Sequence, residues 1–340
     1  MSVLKEKYNS EYFWVCFKIG LSLLVYTSVM NIVAIFVSPL LEAVSTMIDS
    51  ENVVNITIGL CNVLISVLSF CAGALLLRGT LNVGKMKNYQ PIQLRRVSPK
   101  LVIPLVFLAV SANFLAAEAN HSIVSLFSPL GTSMVGDMGE ESISAVSIVF
   151  MFITTAVIPA VVEEIMFRGL ILNNLIPYGR GCAIVGSALL FGLMHMNPAQ
   201  FLYATVSGIV IGYIYVATRS LWVCMVIHFV NNGISVVQSL LYYMPNTALA
   251  ARLSSLITLF MVGMGIVSAV ILLRRRIAKR KSAPEETGSF GVIHEPGLSY
   301  EAHPISLKKK LLLFFAPTNA VFIGFSAFSM ALTLLMFMLQ

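Results

Sequence analysis

Residues 145–175 read AVSIVFMFITTAVIPAVVEEIMFRGLILNNL, an apolar run of helical length that nevertheless contains three charges. About 20 mainly apolar residues suffice to span a bilayer as a helix, so the run predicts a transmembrane helix. Of the fifteen acidic side chains in the chain, only Glu163 and Glu164 fall well inside a hydrophobic run, and Arg168 follows them. Because an ionisable group in the membrane costs roughly 3 kcal/mol or more, each one is a functional candidate by default.

The rest of the chain has the same apolar character. Its 340 residues are 58% hydrophobic and 11% charged, whereas a soluble domain is about 45–50% apolar and about 25% charged. Nine runs are candidate spans: 13–38, 53–77, 101–117, 145–175, 182–197, 201–217, 221–243, 253–273 and 311–338. The fold class predicted is all-α, a polytopic transmembrane helical bundle of about 8–9 helices. The first run is too long for a signal-peptide core, so we expect it to remain as an anchor.

The basic residues are distributed unevenly among the loops. The net charge is +7, and Lys and Arg concentrate in the second, fourth, sixth and eighth loops. The positive-inside rule predicts that these loops and the amino terminus are cytoplasmic. We expect an integral protein of the cell membrane whose basic excess contacts anionic lipid head groups rather than nucleic acid.

Composition also divides the chain into segments. Residues 282–306 are rich in Pro, Gly, Ser and Glu, which is typical of a flexible linker. The predicted organisation is N-terminal transmembrane helices and loops (1–144), core helices (145–243), a helix with a basic cytoplasmic end (244–281), a linker (282–310) and a C-terminal transmembrane helix (311–340). The core segment holds the densest membrane-embedded polar residues.

Membrane-embedded polar side chains occur at a helical spacing. Of the five histidines, only His195 and His228 fall inside hydrophobic runs. Three pairs are spaced i to i+4 and so share a helix face: Glu164 with Arg168, Phe191 with His195, and His228 with Asn232. The first pair is interpreted as an ion pair in which each charge makes the other tolerable. Glu163 stays unexplained, because its neighbour in sequence points about 100° away.

The hairpin turn after this helix suggests a partner for Glu163. Pro177, Gly179 and Gly181 are turn signals, and Glu163 and His195 each lie sixteen residues from Gly179. An antiparallel helix pair would therefore bring the carboxylate and the imidazole to the same depth.

The next turn, near Arg219 and Ser220, precedes His228 by fewer residues. His228 and Asn232 are expected to lie shallower than Glu163 if both turns are level, unless helix tilt or a deeper second turn closes the gap.

The residue types suit hydrolysis by an activated water. Imidazole beside a carboxylate can take a proton from water and return it to a leaving group. The carboxamide of Asn donates hydrogen bonds without carrying charge, which suits an oxyanion in a low-dielectric site.

The motifs EExxxR (Glu163, Glu164, Arg168), FxxxH (Phe191, His195) and HxxxN (His228, Asn232) stand in this order, and the chain here resembles the CPBP, or Abi, family of intramembrane proteases. That family includes the type II CAAX prenyl endopeptidases. The resemblance implies an intramembrane endopeptidase whose substrate is a membrane-embedded or lipidated peptide or protein. It assigns water activation to Glu163 and His195 and oxyanion stabilisation to His228 and Asn232. Glu164 and Arg168 would organise the site, with Phe191 packed beside them.

Two questions stay open at the level of sequence. The family is often grouped with metalloproteases, and Glu163, His195 and His228 could supply a zinc set. Since no HExxH places two ligands on one helical turn, we expect no obligatory metal and no cofactor. The same buried charges would also suit a proton-coupled membrane transporter, or a non-catalytic immunity or scaffold protein of the same fold.

Overall fold

The computed structural model describes residues 2–48, 50–81, 94–125, 143–281 and 305–338. Within these ranges the chain is helical and forms no strand, apart from an isolated bridge between Leu94 and Ser220. Eight helices of the described residues are long and apolar enough to cross a membrane. The predicted all-α polytopic bundle is therefore confirmed.

Twelve α-helices are formed by the described residues. In order they are α1 (Ser2–Met47), α2 (Glu51–Leu81), α3 (Pro99–Ser125), α4 (Ala145–Phe152), α5 (Ile158–Glu164), α6 (Asn173–Leu175), α7 (Arg180–Met194), α8 (Pro198–Thr218), α9 (Leu221–Leu241), α10 (Thr247–Lys281), α11 (Leu307–Phe314) and α12 (Pro317–Met338). Two π-helical segments, Ile153–Val157 and Ile165–Leu172, join α4 to α5 and α5 to α6, and a 3₁₀ turn, Ile176–Tyr178, follows. The continuous span Ala145–Tyr178 is called the glutamate helix below.

Each predicted run corresponds to helical structure, but two runs differ from the expectation. The run 182–197 forms α7, whose 15 residues extend about 22 Å, short of the roughly 30 Å of hydrocarbon in a bilayer. The run predicted as one helix at 311–338 is divided into α11 and α12, with Pro317 at the start of α12. Proline suits the first helical position because its missing N–H would have no partner there.

Polar contacts bring several of the basic loops to one end of the bundle. The Ser220 hydroxyl donates to the backbone oxygen of Arg95, which joins the sixth loop to the second. Arg275 donates from Nη1 to the backbone oxygen of Lys100 at 2.7 Å, so the end of α10 lies there too. The side of the membrane that this end faces remains a prediction.

The predicted linker lies mostly outside the described residues, which resume at residue 305. The segment boundaries predicted above likewise stay predictions.

Small residues allow α7 and α8 to approach closely. A Cβ atom added at Gly208 would lie 2.9 Å from both the Cα and the Cβ of Ala188. Glycine and alanine at such positions are typical of membrane helix interfaces, where packing replaces the hydrophobic effect. This contact holds α8 against the helices that carry the candidate site.

The turn predicted near Gly179 is confirmed. Gly179 adopts a φ of 134° between the 3₁₀ turn and α7. Glycine takes such a conformation readily because it has no Cβ. The glutamate helix and α7 are thus joined by a one-residue turn.

Candidate active site

Glu164 and Arg168 form the predicted ion pair. Arg168 Nη1 lies 2.8 Å from Glu164 Oε1, and the two residues are 0% and 1% exposed. Arg168 also donates from Nη2 to the Gly208 backbone oxygen at 3.4 Å. Its guanidinium carbon lies 4.9 Å from the centroid of the Phe191 ring, a cation–π distance. The guanidinium is therefore held by groups on its own helix, α7 and α8.

His228 on α9 completes this buried cluster. Its Nδ1 lies 2.7 Å from Glu164 Oε1, and because a carboxylate only accepts, Nδ1 is the donor. One carboxylate oxygen thus receives both Arg168 and His228. The other oxygen, Oε2, is buried and has no hydrogen-bond partner among the described residues.

The contact between α9 and the glutamate helix also shows how His228 reaches Glu163, although it follows its turn by fewer residues. Equal turns would leave His228 shallower than Glu163, yet His228 reaches both glutamates. The segment Ile165–Leu172, which has 8 residues and begins directly after Glu164, is π-helical. Each π turn holds more residues than an α turn, so this segment covers less length per residue and brings the glutamates closer to the turn. Helical spacing alone could not reveal this shortening.

Glu163 has a different environment from Glu164. Its side chain is 15% exposed, whereas that of Glu164 is 0% exposed. Glu163 Oε2 lies 3.9 Å from Nε2 of His228, too far for a hydrogen bond. Glu163 is therefore the accessible carboxylate of the two.

His195 is placed at the C-cap of α7. Its Nδ1 lies 2.9 Å from the Phe191 backbone oxygen, and since a carbonyl can only accept, Nδ1 carries the proton. In the neutral ring, Nε2 then keeps its lone pair. The contact with the Phe191 carbonyl thus leaves His195 Nε2 available to accept a hydrogen bond or a proton.

Phe191 links the two imidazoles. Its ring centroid lies 5.0 Å from that of His195 and 6.1 Å from that of His228, both with edge-on geometry. Among the described residues, the histidine in contact with Glu163 is His228. Glu163 and His195 are thus connected through His228 and Phe191, and their equal depth stays a prediction.

Asn232 lies one helical turn beyond His228 on α9. It donates from Nδ2 to the backbone oxygen of Thr155 at 2.9 Å, and its Oδ1 accepts from Asn231 Nδ2 at 3.1 Å. Asn232 is partly exposed, whereas His228 and Asn231 are buried. The carboxamide is consequently anchored to the glutamate helix at the accessible edge of the site.

The side chains do not gather into a metal centre in the part of the chain that the structure describes. No group of three or more His, Cys, Asp or Glu residues there is arranged to hold an ion. In the zinc set considered from sequence, His228 Nδ1 is bonded to Glu164 and His195 Nδ1 to Phe191. Metal dependence therefore remains a matter for experiment.

Several contributors to the site were missed at the level of sequence. Gly208 and Thr155 act through backbone oxygens, which no side-chain motif reveals. Asn113 is a carboxamide within the apolar run of α3, and that isolation was the available signal. Asn231 adjoins Asn232, but the HxxxN spacing directs attention to the second asparagine only.

The fold and the site together define a polytopic membrane protein with a carboxylate–imidazole–guanidinium cluster among its helices. Residues 145–234 match the family model described as type II CAAX prenyl endopeptidase Rce1-like. This match supports the predicted resemblance to the CPBP/CAAX protease family over the core of the chain. All seven predicted site residues, from Glu163 to Asn232, lie within the matched range. No curated protein and no solved structure matches the chain in the corresponding searches.

Proposed function

We propose that the chain is an intramembrane endopeptidase that uses a Glu163-activated water to hydrolyse a peptide bond of a membrane-associated or lipidated protein. The observation that carries the proposal is His228, whose Nδ1 is fixed by buried Glu164 while Nε2 faces accessible Glu163. An ion pair with only a structural role would need Glu164 and Arg168 alone, and would not explain why His228 also faces Glu163. The match to a CAAX protease family model supports a prenylated protein as the substrate class.

Water activation is assigned to Glu163 and His195. The water oxygen attacks the carbonyl carbon of the peptide while Glu163 takes the water proton. The C–N bond then breaks as the leaving nitrogen receives this proton from Glu163, either directly or relayed through His195 Nε2. The products are a carboxylic acid and an amine, which ionise to a carboxylate and an ammonium, and the protonation states of the enzyme are restored.

Oxyanion stabilisation is assigned to His228 and Asn232. With both glutamates and Arg168 ionised, the cluster carries a net charge of −1, and a proton on His228 would neutralise it. In that form Nδ1–H donates to Glu164 and Nε2–H is available to the oxyanion. Asn232 has a second amide proton beyond the one given to Thr155. Donors of this kind act strongly in a site that excludes water.

Glu164, Arg168 and Phe191 organise the site. The ion pair fixes Glu164, Glu164 orients the His228 ring, and Phe191 packs against Arg168 and both imidazoles. We further propose that no obligatory metal takes part, because the donor atoms that would bind zinc are the ones that the water mechanism uses.

The test is cleavage by purified protein in detergent. Wild type and Glu163→Gln are incubated with farnesylated, geranylgeranylated and unmodified peptides, each with and without a zinc chelator. We expect wild type to cleave lipidated peptides with or without chelator, and Glu163→Gln to be inactive. Glu118→Gln, an exposed glutamate on α3, is the matched control and should cleave like wild type.

Each other outcome of this experiment has a defined meaning. Absence of Glu163-dependent cleavage, under conditions in which a known CAAX protease is active, contradicts the proposed function. Chelator inhibition that added zinc reverses would instead overturn the metal-independent mechanism.

A further inference from the structure

Three asparagines and one backbone carbonyl form a continuous hydrogen-bonded chain between helices. Asn113 on α3 donates from Nδ2 to Asn231 Oδ1 at 2.7 Å. Asn231 donates from Nδ2 to Asn232 Oδ1 at 3.1 Å. Asn232 donates from Nδ2 to the Thr155 oxygen of the glutamate helix at 2.9 Å. This hydrogen-bonded chain of asparagines therefore connects α3, which lies outside the matched core, to Asn232, the proposed oxyanion donor.

The donor and acceptor orientation of each asparagine follows from the Thr155 carbonyl at the end of this hydrogen-bonded chain. A carboxamide can present either its oxygen or its NH₂ group, depending on which way it is turned. The Thr155 carbonyl only accepts, so Asn232 must turn Nδ2 towards it. Oδ1 of Asn232 then requires a donor, which is Asn231, and Oδ1 of Asn231 requires one in turn, which is Asn113. All three orientations are thereby fixed.

The burial of the asparagines indicates that they do more than fill the space between the helices. Asn113 and Asn231 are 7% and 8% exposed. Asn113 lies next to Phe114, which packs against Val110 and Met261. Its own Oδ1 has no hydrogen-bond partner among the described residues. Apolar side chains would fill this part of the α3–α9 interface without leaving a buried polar atom unpaired.

We infer that Asn113 and Asn231 are positioning residues that hold Asn232 with its amide N–H, rather than its oxygen, towards the oxyanion. This inference rests on the proposed function. A reversed Asn232 would present a lone pair to the developing negative charge and would oppose catalysis. The two buried asparagines thus act through Asn232 and touch no substrate.

Substitutions of Asn113 separate this role from simple helix–helix adhesion. Asn113→Leu removes the donor, and Asn113→Asp replaces it with an acceptor that competes for the Asn231 amide group and opposes the observed orientations. Asn113→Gln keeps an NH₂ group and should retain more activity than either. Asn120→Leu is the matched control, because Asn120 is also a buried asparagine of α3 but donates to the Ala199 oxygen.

The experiment measures kcat and KM for a lipidated peptide, per folded protein, in each variant and in Asn232→Ala combined with Asn113→Leu. We expect Asn113→Leu to lower kcat, by up to about 10²-fold, with KM unchanged. In the Asn232→Ala background, Asn113→Leu should have no further effect on kcat, because the carboxamide that Asn113 orients is absent. Asn120→Leu should leave kcat unchanged.

The failures are distinguishable. If wild type shows Glu163- and Asn232-dependent cleavage but Asn113→Leu keeps full kcat, or lowers kcat equally in both backgrounds, the positioning role is wrong and the protease remains. If Asn113→Leu does not fold, Asn113→Asp and Asn113→Gln carry the comparison, and equal kcat in these two variants overturns the inference. If wild type gives no Glu163-dependent cleavage, both the function and the inference fall.

Discussion

The candidate site has two halves that differ in their access to solvent and substrate. The buried half consists of Glu164, Arg168 and the Nδ1 side of His228, joined by contacts of 2.7 and 2.8 Å. The accessible half consists of Glu163, with a side chain that is 15% exposed, and the partly exposed His195 and Asn232. Adjacent glutamates thus lie in different environments.

The difference teaches how a membrane helix can carry chemistry. Charges that are fully removed from solvent must satisfy one another, so the buried half is committed to structure. Only a charge that retains access can exchange a proton with water or substrate. Changes in the buried half should therefore alter stability first, and changes in the accessible half should alter turnover first.

The largest expected change in stability comes from breaking the buried pair. Arg168→Ala leaves Glu164 without its cation, and loss of one partner of a buried ion pair costs about 3–5 kcal/mol. The measurement is the free energy of unfolding in mixed micelles. The double variant Glu164→Gln with Arg168→Gln is the control and should lose less than the single variant. Wild-type stability in Arg168→Ala would remove the distinction between the two halves.

In the accessible half, Asn232→Ala is expected to impair catalysis. Loss of one oxyanion donor typically lowers kcat by about 10²- to 10³-fold, while the unfolding transition should stay near that of wild type. Steady-state kinetics on a lipidated peptide provides the test. Asn31→Ala, which removes an exposed carboxamide on α1 bonded to Thr27, should keep wild-type kcat. A rise in KM alone would instead indicate a substrate-binding role for Asn232.

Gly208 tests how the buried half is supported by α8. A methyl group in Gly208→Ala would crowd Ala188 at 2.9 Å and displace the carbonyl that Arg168 contacts, at a cost of about 1–3 kcal/mol. Gly212→Ala, one turn later, meets its nearest neighbour at 3.4 Å and should be tolerated. Thermal unfolding of the two variants side by side measures the difference. Equal stability would show that α8 does not constrain the ion pair.

The smallest expected effect concerns the turn that follows His195. Asn197 caps α8, because its Oδ1 accepts from the Ala199 N–H at 2.9 Å. Asn197→Ala should reduce the free energy of unfolding by about 1 kcal/mol, and Asn197→Ser, which can also cap, should restore most of the loss. If alanine and serine gave the same stability, the hydrogen bond of the cap would not contribute to the free energy of unfolding.

The sequence predicted the class of fold and much of the site because membrane burial makes polar residues conspicuous. The apolar runs located the helices, and the i to i+4 spacing of Glu164 and Arg168 predicted their ion pair correctly. Periodicity could not reveal the π-helical segment Ile165–Leu172, since i to i+5 bonding over so few residues leaves no distinct spacing of apolar positions. The contact of His228 with both glutamates therefore appeared only in the structure.

The asparagine chain shows a second limit of sequence reasoning. Asn113 and Asn231 are separated by 118 positions, and a hydrogen bond between carboxamides carries no charge pattern that would pair them in advance. Backbone acceptors such as those of Gly208 and Thr155 leave no side-chain signature at all. The roles of the site residues, the orientation in the membrane and the segment boundaries remain predictions.

The most direct test of the difference between the two halves is the cleavage rate per folded protein in Glu163→Gln, with Glu164→Gln beside it. If Glu163 is the base, its loss should lower kcat by about 10²- to 10⁴-fold while the unfolding transition stays at the wild-type position. Glu164→Gln should shift the unfolding transition. Cleavage by Glu163→Gln at the wild-type rate would contradict the assignment of Glu163 as the residue that activates water.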